Sequence, residues 1–123
     1  MVNDLDATLT ALADPTRRHV VELLRQRPRR AGDLAAAVAM SGPAMSRHLR
    51  VLRASGLVEV EPEADARNDA RVRVYRLRPE PFATLQEWLD QVQAFWTDQL
   101  DAFKAHAEQQ RTQSDRENVH ETR

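Results

Sequence analysis

SGPAMSRHLRVLRASGLV, residues 41–58, is the stretch on which the fold turns. Ser41 precedes Gly42 and Pro43, the arrangement of an N-cap and a first helical turn. Met45, Leu49 and Leu52 then recur at steps of four and three until Gly56, a natural residue just past a helix end. After Gly56 the period changes. LVEV (57–60) and RVRVYRL (71–77) are β-branched runs that suit two strands, with the polar stretch EPEADARNDA (61–70) between them as a long hairpin tip.

Upstream, a short helix starting near Ala31 would bury Leu34, Ala35 and Val38, and AMSG (39–42) joins it to the helix just described. Asp14 before Pro15 reads as an N-cap and first helical position, and Pro28 closes that helix at about Arg27, with Val20, Val21, Leu23 and Leu24 partly buried. Leu5, Leu9 and Leu12 make a first short helix. Downstream, helical period resumes at Pro81, and Phe82, Leu85, Trp88, Leu89, Val92, Phe95, Trp96, Leu100 and Phe103 form one stripe. Two short helices joined by a turn and followed by a hairpin predict a winged helix-turn-helix. The expected fold is mainly α with a small β-hairpin, in one domain over residues 1–107, with a polar, disordered tail over 108–123.

Composition agrees and narrows the function. Length 123 suits a single core, and 41% hydrophobic with 30% charged residues is globular composition. No apolar run nears the roughly 18 residues a membrane span needs, and the first twenty residues have no signal-peptide h-region, so the expected location is cytoplasmic, away from membranes. The absence of cysteine removes disulfides, thiolate metal sites and a cysteine nucleophile. Gly32, Gly42 and Gly56 are too scattered for a phosphate-cradling loop, and Ser46 and His48 point apart on a helix, so an enzyme is not expected. The net charge of −1 hides a basic middle: residues 15–80 carry fourteen arginines against eight carboxylates, and both ends are acidic.

With Met45, Leu49 and Leu52 turned inward, Pro43, Arg47, Arg50 and Ala54 fall on the opposite side of their helix, with Ser46 beside them. Between Ser41 and Val58 there are three arginines and no acid, which suits a helix approaching phosphates and guanine edges. His48, about 60° from Met45, either packs at the core's rim or donates to a phosphate. The hairpin is less favourable, because Glu59, Glu61, Glu63, Asp65 and Asp69 stand against Arg67 alone. Phosphates should repel its tip, leaving Arg67, Arg71 and Arg73 as the wing's candidate contacts. The aromatic stripe from Trp88 to Phe103 is too much apolar surface for a lone helix, so it is either a dimer core or the lining of a small-molecule pocket.

The strings ALADPTRRHVVELL (11–24), DLAAAV, SGPAMSRHLRVLRASGLV and VYRL resemble the ArsR family of bacterial winged-helix transcriptional regulators over roughly residues 5–105. The resemblance implies a homodimer that binds double-stranded DNA at an imperfect inverted repeat and represses by occluding a promoter. It places Ser41, Ser46, Arg47 and Arg50 against DNA, and it makes the first and last helices the interface, through Leu5, Leu9, Leu12, Leu85, Trp88, Val92, Phe95, Trp96 and Phe103. Two features depart from the family. Ala39 stands where a turn glycine commonly precedes the recognition helix, so either the turn is built differently or a left-handed alanine costs about 1 kcal/mol. The family's metal-sensing sets are also incomplete. AGDLAAAV offers no cysteine, there is no Asp-x-His pair, and His106 is followed three residues on by Gln109. His19 and His120 are isolated, so neither metal nor cofactor is expected. Two other functions fit the same residues: a regulator with a small-molecule pocket at the dimer interface, its effector unspecified, and a protein-interaction module that has lost DNA binding.

Overall fold

The structure, a computed structural model, describes residues 4–64 and 71–121. Its elements in chain order are α1 (Asp4–Leu12), α2 (Pro15–Gln26), β1 (Arg29–Arg30), α3 (Ala31–Ala37), α4 (Gly42–Ala54), β2 (Val58–Ala64), β3 (Arg71–Leu77) and α5 (Pro79–Glu121). The sheet order is β1-β3-β2, with both pairings antiparallel. This is a winged helix-turn-helix, mainly α with a small sheet, as the sequence predicts.

Local chemistry accounts for the helix ends. At the head of α2 the Asp14 side chain accepts from the Arg17 backbone N–H at 3.1 Å, and Pro15 occupies a position whose N–H would have no helical partner. α1 has no glycine to end on. Instead the first turns of α2 satisfy its last carbonyls: Arg17 Nε donates to Ala11 O at 2.7 Å, and Arg18 donates to Leu12 O and Ala13 O at 2.8 and 3.0 Å. α3 and α4 end alike. Met40 N–H reaches Ala35 O and Ala39 N–H reaches Ala36 O at one end; Leu57 N–H reaches Leu52 O and Gly56 N–H reaches Arg53 O at the other. Ala39, with φ 54°, is the positive-φ residue of the first motif. The turn before α4 is therefore left-handed despite lacking a glycine.

The core of residues 1–85, one of two compact units, comes on α2, α3 and α4 from the faces that the apolar spacing marks, whereas α1 buries Thr8 and Ala11 in place of the marked leucines. Ala11, Val20, Leu24, Leu34, Ala35, Met45, Leu49, Leu52, Leu57 and Val58 are all buried in one cluster. Leu12, Val21, Leu23 and Val38 pack at its edge.

Three features differ from the sequence expectation. β1 pairs Arg29 with Tyr75 and Arg30 with Val74, and two residues are too few for a periodicity to announce. β2 runs on to Ala64, beyond the expected end at Val60, and carries Pro62. That proline is tolerated because β2 is an edge strand, with one side free of ladder bonds. α5 continues past Glu108 to Glu121. After Pro81 the sequence has neither glycine nor proline, and the alanines, glutamates, glutamines and arginines of its last stretch are good helix formers. Residues 86–123 make up the second unit.

Candidate nucleic-acid interface

The candidate interface begins at Ser41. Its extended backbone and its side chain, accepting from Ala44 N–H at 3.3 Å, start α4 with a free N-terminal turn. Met45, Leu49 and Leu52 fix the helix's rotation by burying to 2% exposure or less. That rotation leaves Pro43, Ser46, Arg47, Arg50 and Ala54 exposed on the opposite side. Arg47, Arg50 and Arg53 make no ion pair among the described residues, so their donors are available to an outside acceptor. A guanidinium in this setting presents a fork that fits the O6 and N7 acceptors of guanine or two phosphate oxygens. Ser41 is exposed but already serves as the cap.

The same face carries Val51, 38% exposed and about 40° from Arg47 around the helix. The sequence reading omitted it, although the wheel that places Arg47 outward also places Val51 there. An apolar branched side chain beside an arginine is suited to a thymine methyl.

Near its base the wing's acids are offset by arginines. Glu61 pairs with Arg76 at 2.8 Å, and Arg78 lies 4.0 Å from Glu59 and 3.7 Å from Glu80. Two of the five wing acids thus face arginines of the neighbouring chain segment. Of the wing's candidate contacts, Arg73 is exposed on β3, whereas Arg67 and the side chain of Arg71 lie outside the described residues. Asp65 and Asp69 lie outside them as well.

His48 takes the rim position. Its side chain is 21% exposed, and Nδ1 stands 3.9 Å from Asp14 Oδ1 at the head of α2. The Arg17 backbone N–H holds the Asp14 carboxyl below the usual carboxylate range, and the Thr16 N–H, the Arg17 charge and His48 act the same way, opposed by partial desolvation. No local sequence signal joins residues 34 positions apart, so this contact was not legible beforehand.

Within residues 86–123, α5 exposes a run of large apolar side chains. Trp88 and Leu89 are 39% and 45% exposed, Phe95 and Trp96 are both 58%, and Leu100 and Phe103 are 62% and 72%. Phe95 and Trp96 touch edge to face with centroids 6.0 Å apart. Val92 is half-buried. In the first unit Leu9 is 39% exposed, while Leu5, Leu12 and Leu85 are half-buried, Leu12 against the core cluster. Among the described residues no three His, Cys, Asp or Glu side chains group to hold a metal ion, and no helix is long and apolar enough to cross a membrane.

Comparison with known proteins converges on one family. The model of the bacterial regulatory proteins of the arsR family matches residues 14–60, from the cap of α2 into β2. The HTH-type transcriptional regulator Rv2034 of Mycobacterium tuberculosis is 40% identical over 98 residues, covering 80% of this chain and 83% of that protein. Among solved structures, an ArsR-like transcriptional regulator from Rhodococcus sp. RHA1 is 28% identical with a TM-score of 0.70, over 85% of this chain and 91% of its own. The homodimeric winged helix-turn-helix DNA-binding domain of Mb0332 from Mycobacterium bovis, a possible ArsR-family regulator, is 28% identical with a TM-score of 0.57, over 74% and 79%.

Proposed function

The chain belongs to the ArsR family of bacterial regulatory proteins, and from that premise we propose that it is a sequence-specific repressor, acting as a homodimer on an inverted-repeat operator in the cytoplasm without a bound metal or cofactor. The observation that carries this reading is the outward face of α4. Arg47 and Arg50 are exposed and unpaired there, in a segment with no acid from Ser41 to Val58. Ser41, Pro43, Ser46, Arg47 and Arg50 are the reading and positioning residues, and Arg73, Arg71 and Arg67 add phosphate contacts from the wing. Residues 1–107 are the working DNA-binding and dimerisation domain.

The exposed aromatic run on α5 supports dimerisation. Burying a large apolar side chain contributes about 1.5–3 kcal/mol, and several such groups exceed what a soluble surface normally leaves in water. Trp88, Phe95, Trp96 and Phe103 supply the interface on α5, and Leu5 and Leu9 contribute from α1. Two protomers then present two reading helices, and an operator with two-fold symmetry follows from the symmetry of the protein.

The experiment is selection of duplexes from a random double-stranded library, followed by titration of the enriched sequence across salt concentrations. Enrichment of an inverted repeat is expected, with a log–log salt slope of about −3.6 or steeper if four or more phosphates are neutralised. No enrichment together with a flat salt response would instead favour the protein-interaction module.

A further inference from the structure

We propose that His48 is a positioning residue for DNA reading: facing the Asp14 carboxylate, it braces α4 against the head of α2 within the rotation its core face sets, and so steadies where Arg47 and Arg50 point. This rests on the DNA-reading function proposed above. Met45, Leu49 and Leu52 set the rotation of α4 from its core side. The His48–Asp14 contact adds a second, polar restraint at the flank of the reading face. His48 lies about 100° around the helix from Arg47, so a few degrees of rotation at one is repeated at the other.

Asp14 is itself anchored. Its Oδ1 accepts the Arg17 N–H at 3.1 Å, and Arg17 holds the last turn of α1 through Ala11 O and Thr10 O. The Asp14–His48 contact at 3.9 Å therefore ties the reading helix to the α1–α2 corner. Other charged groups on the elements packed against α4 are engaged elsewhere or make no ion pair with His48. Glu61 faces Arg76 and Glu59 faces Arg78 on the β2 side, Arg17 turns its guanidinium to α1, and Asp33 on α3 makes no ion pair among the described residues. The sequence left His48 between rim packing and phosphate donation; the Asp14 contact gives the rim position a task.

The test uses full-length His48→Leu, His48→Asn, Asp14→Ser and the His48→Leu/Asp14→Ser double variant. Asparagine keeps a side-chain N–H donor near the place of Nδ1, and serine keeps the cap of α2 while withdrawing the carboxylate from His48. The readout is the affinity ratio between the duplex enriched by the wild type and a random duplex, with thermal unfolding measured alongside. His48→Leu and Asp14→Ser should each lower the ratio about three- to fivefold, as expected of a partly exposed polar contact. The double variant should lose no more than either alone, and His48→Asn should restore most of the ratio. Loss in His48→Leu with full discrimination in Asp14→Ser would mean that His48 donates directly to phosphate, which overturns the proposal. So would a change in melting temperature with the ratio intact, or additive losses in the double variant. A wild type that enriches no sequence fails the DNA-reading function itself, before any variant is compared.

Discussion

Ala39 ends α3 in the backbone conformation in which Gly56 ends α4. Their φ angles are 54° and 80°, and each N–H, with that of the next residue, closes the same pair of hydrogen bonds onto the preceding helix. One helix end uses the residue that the left-handed region favours, and the other does without it just before α4.

Ala39→Gly should therefore stabilise the protein by about 1 kcal/mol, because a Cβ in the left-handed region costs roughly that much. Chemical denaturation measures it. The gain should come without a change in DNA affinity, since Ala39 lies outside the exposed face of α4. Unchanged or reduced stability would mean that the alanine carries no strain.

Asp14 predicts a pH dependence with a defined sign. Hydrogen bonds from the backbone of Arg17 and Thr16 lower its folded-state pKa below the ordinary 3.8. The stability it contributes is thus present above that value and is lost as pH falls through the lowered one. Asp14→Asn keeps a capping side chain and removes the titration. The stability advantage of wild type over Asp14→Asn should shrink as pH is lowered from about 6 to below the carboxylate range. An advantage independent of pH would contradict the assignment.

Glu61→Gln should raise affinity for non-specific duplex DNA. The Glu61–Arg76 pair at 2.8 Å neutralises a wing arginine, with the two side chains 55% and 39% exposed. Such a pair stabilises the fold by no more than about 1 kcal/mol, so folding should barely change while one more cation becomes available to phosphate. Fluorescence anisotropy across salt should give a slope steeper by about 0.9 for each protomer whose Arg76 reaches a phosphate. An identical slope would place Arg76 away from DNA.

Most of the fold was legible because its signals are local. Asp14–Pro15 and Ser41–Gly42–Pro43 are cap chemistry, and the Met45, Leu49 and Leu52 spacing fixes which side of α4 faces out. Gly56 marks the change of period correctly. What the sequence withheld depends on distant partners. β1 exists only because Arg29 and Arg30 find Tyr75 and Val74, and the wing acids are tempered only because Arg76 and Arg78 come alongside. The role of His48 depends on a carboxylate 34 residues away. The length of α5 was underestimated for another reason: a polar stretch without glycine or proline is compatible with helix even where no apolar stripe supports it.

On the homodimer proposed above, Trp96→Glu should give a monomer. Trp96 is 58% exposed and edge to face with Phe95 on a helix with further exposed aromatics, so a carboxylate there would be forced into an apolar interface. Sedimentation at micromolar concentration should give a dimeric wild type and a folded monomeric variant with sharply weaker operator binding. A monomeric wild type would remove the two-fold operator from the account.

The most direct test of the account is a binding titration of Arg47→Ala and Arg50→Ala against the enriched duplex and its single-base variants. Both side chains are exposed opposite the Met45, Leu49 and Leu52 core face, so neither substitution should shift the melting temperature appreciably. Each should cost about 1–3 kcal/mol in affinity and relax preference at one base pair per half-site, whereas Arg73→Ala should weaken all sequences alike. Folded dimers of both α4 variants that keep full affinity and full discrimination would contradict the assignment of α4 as the reading helix.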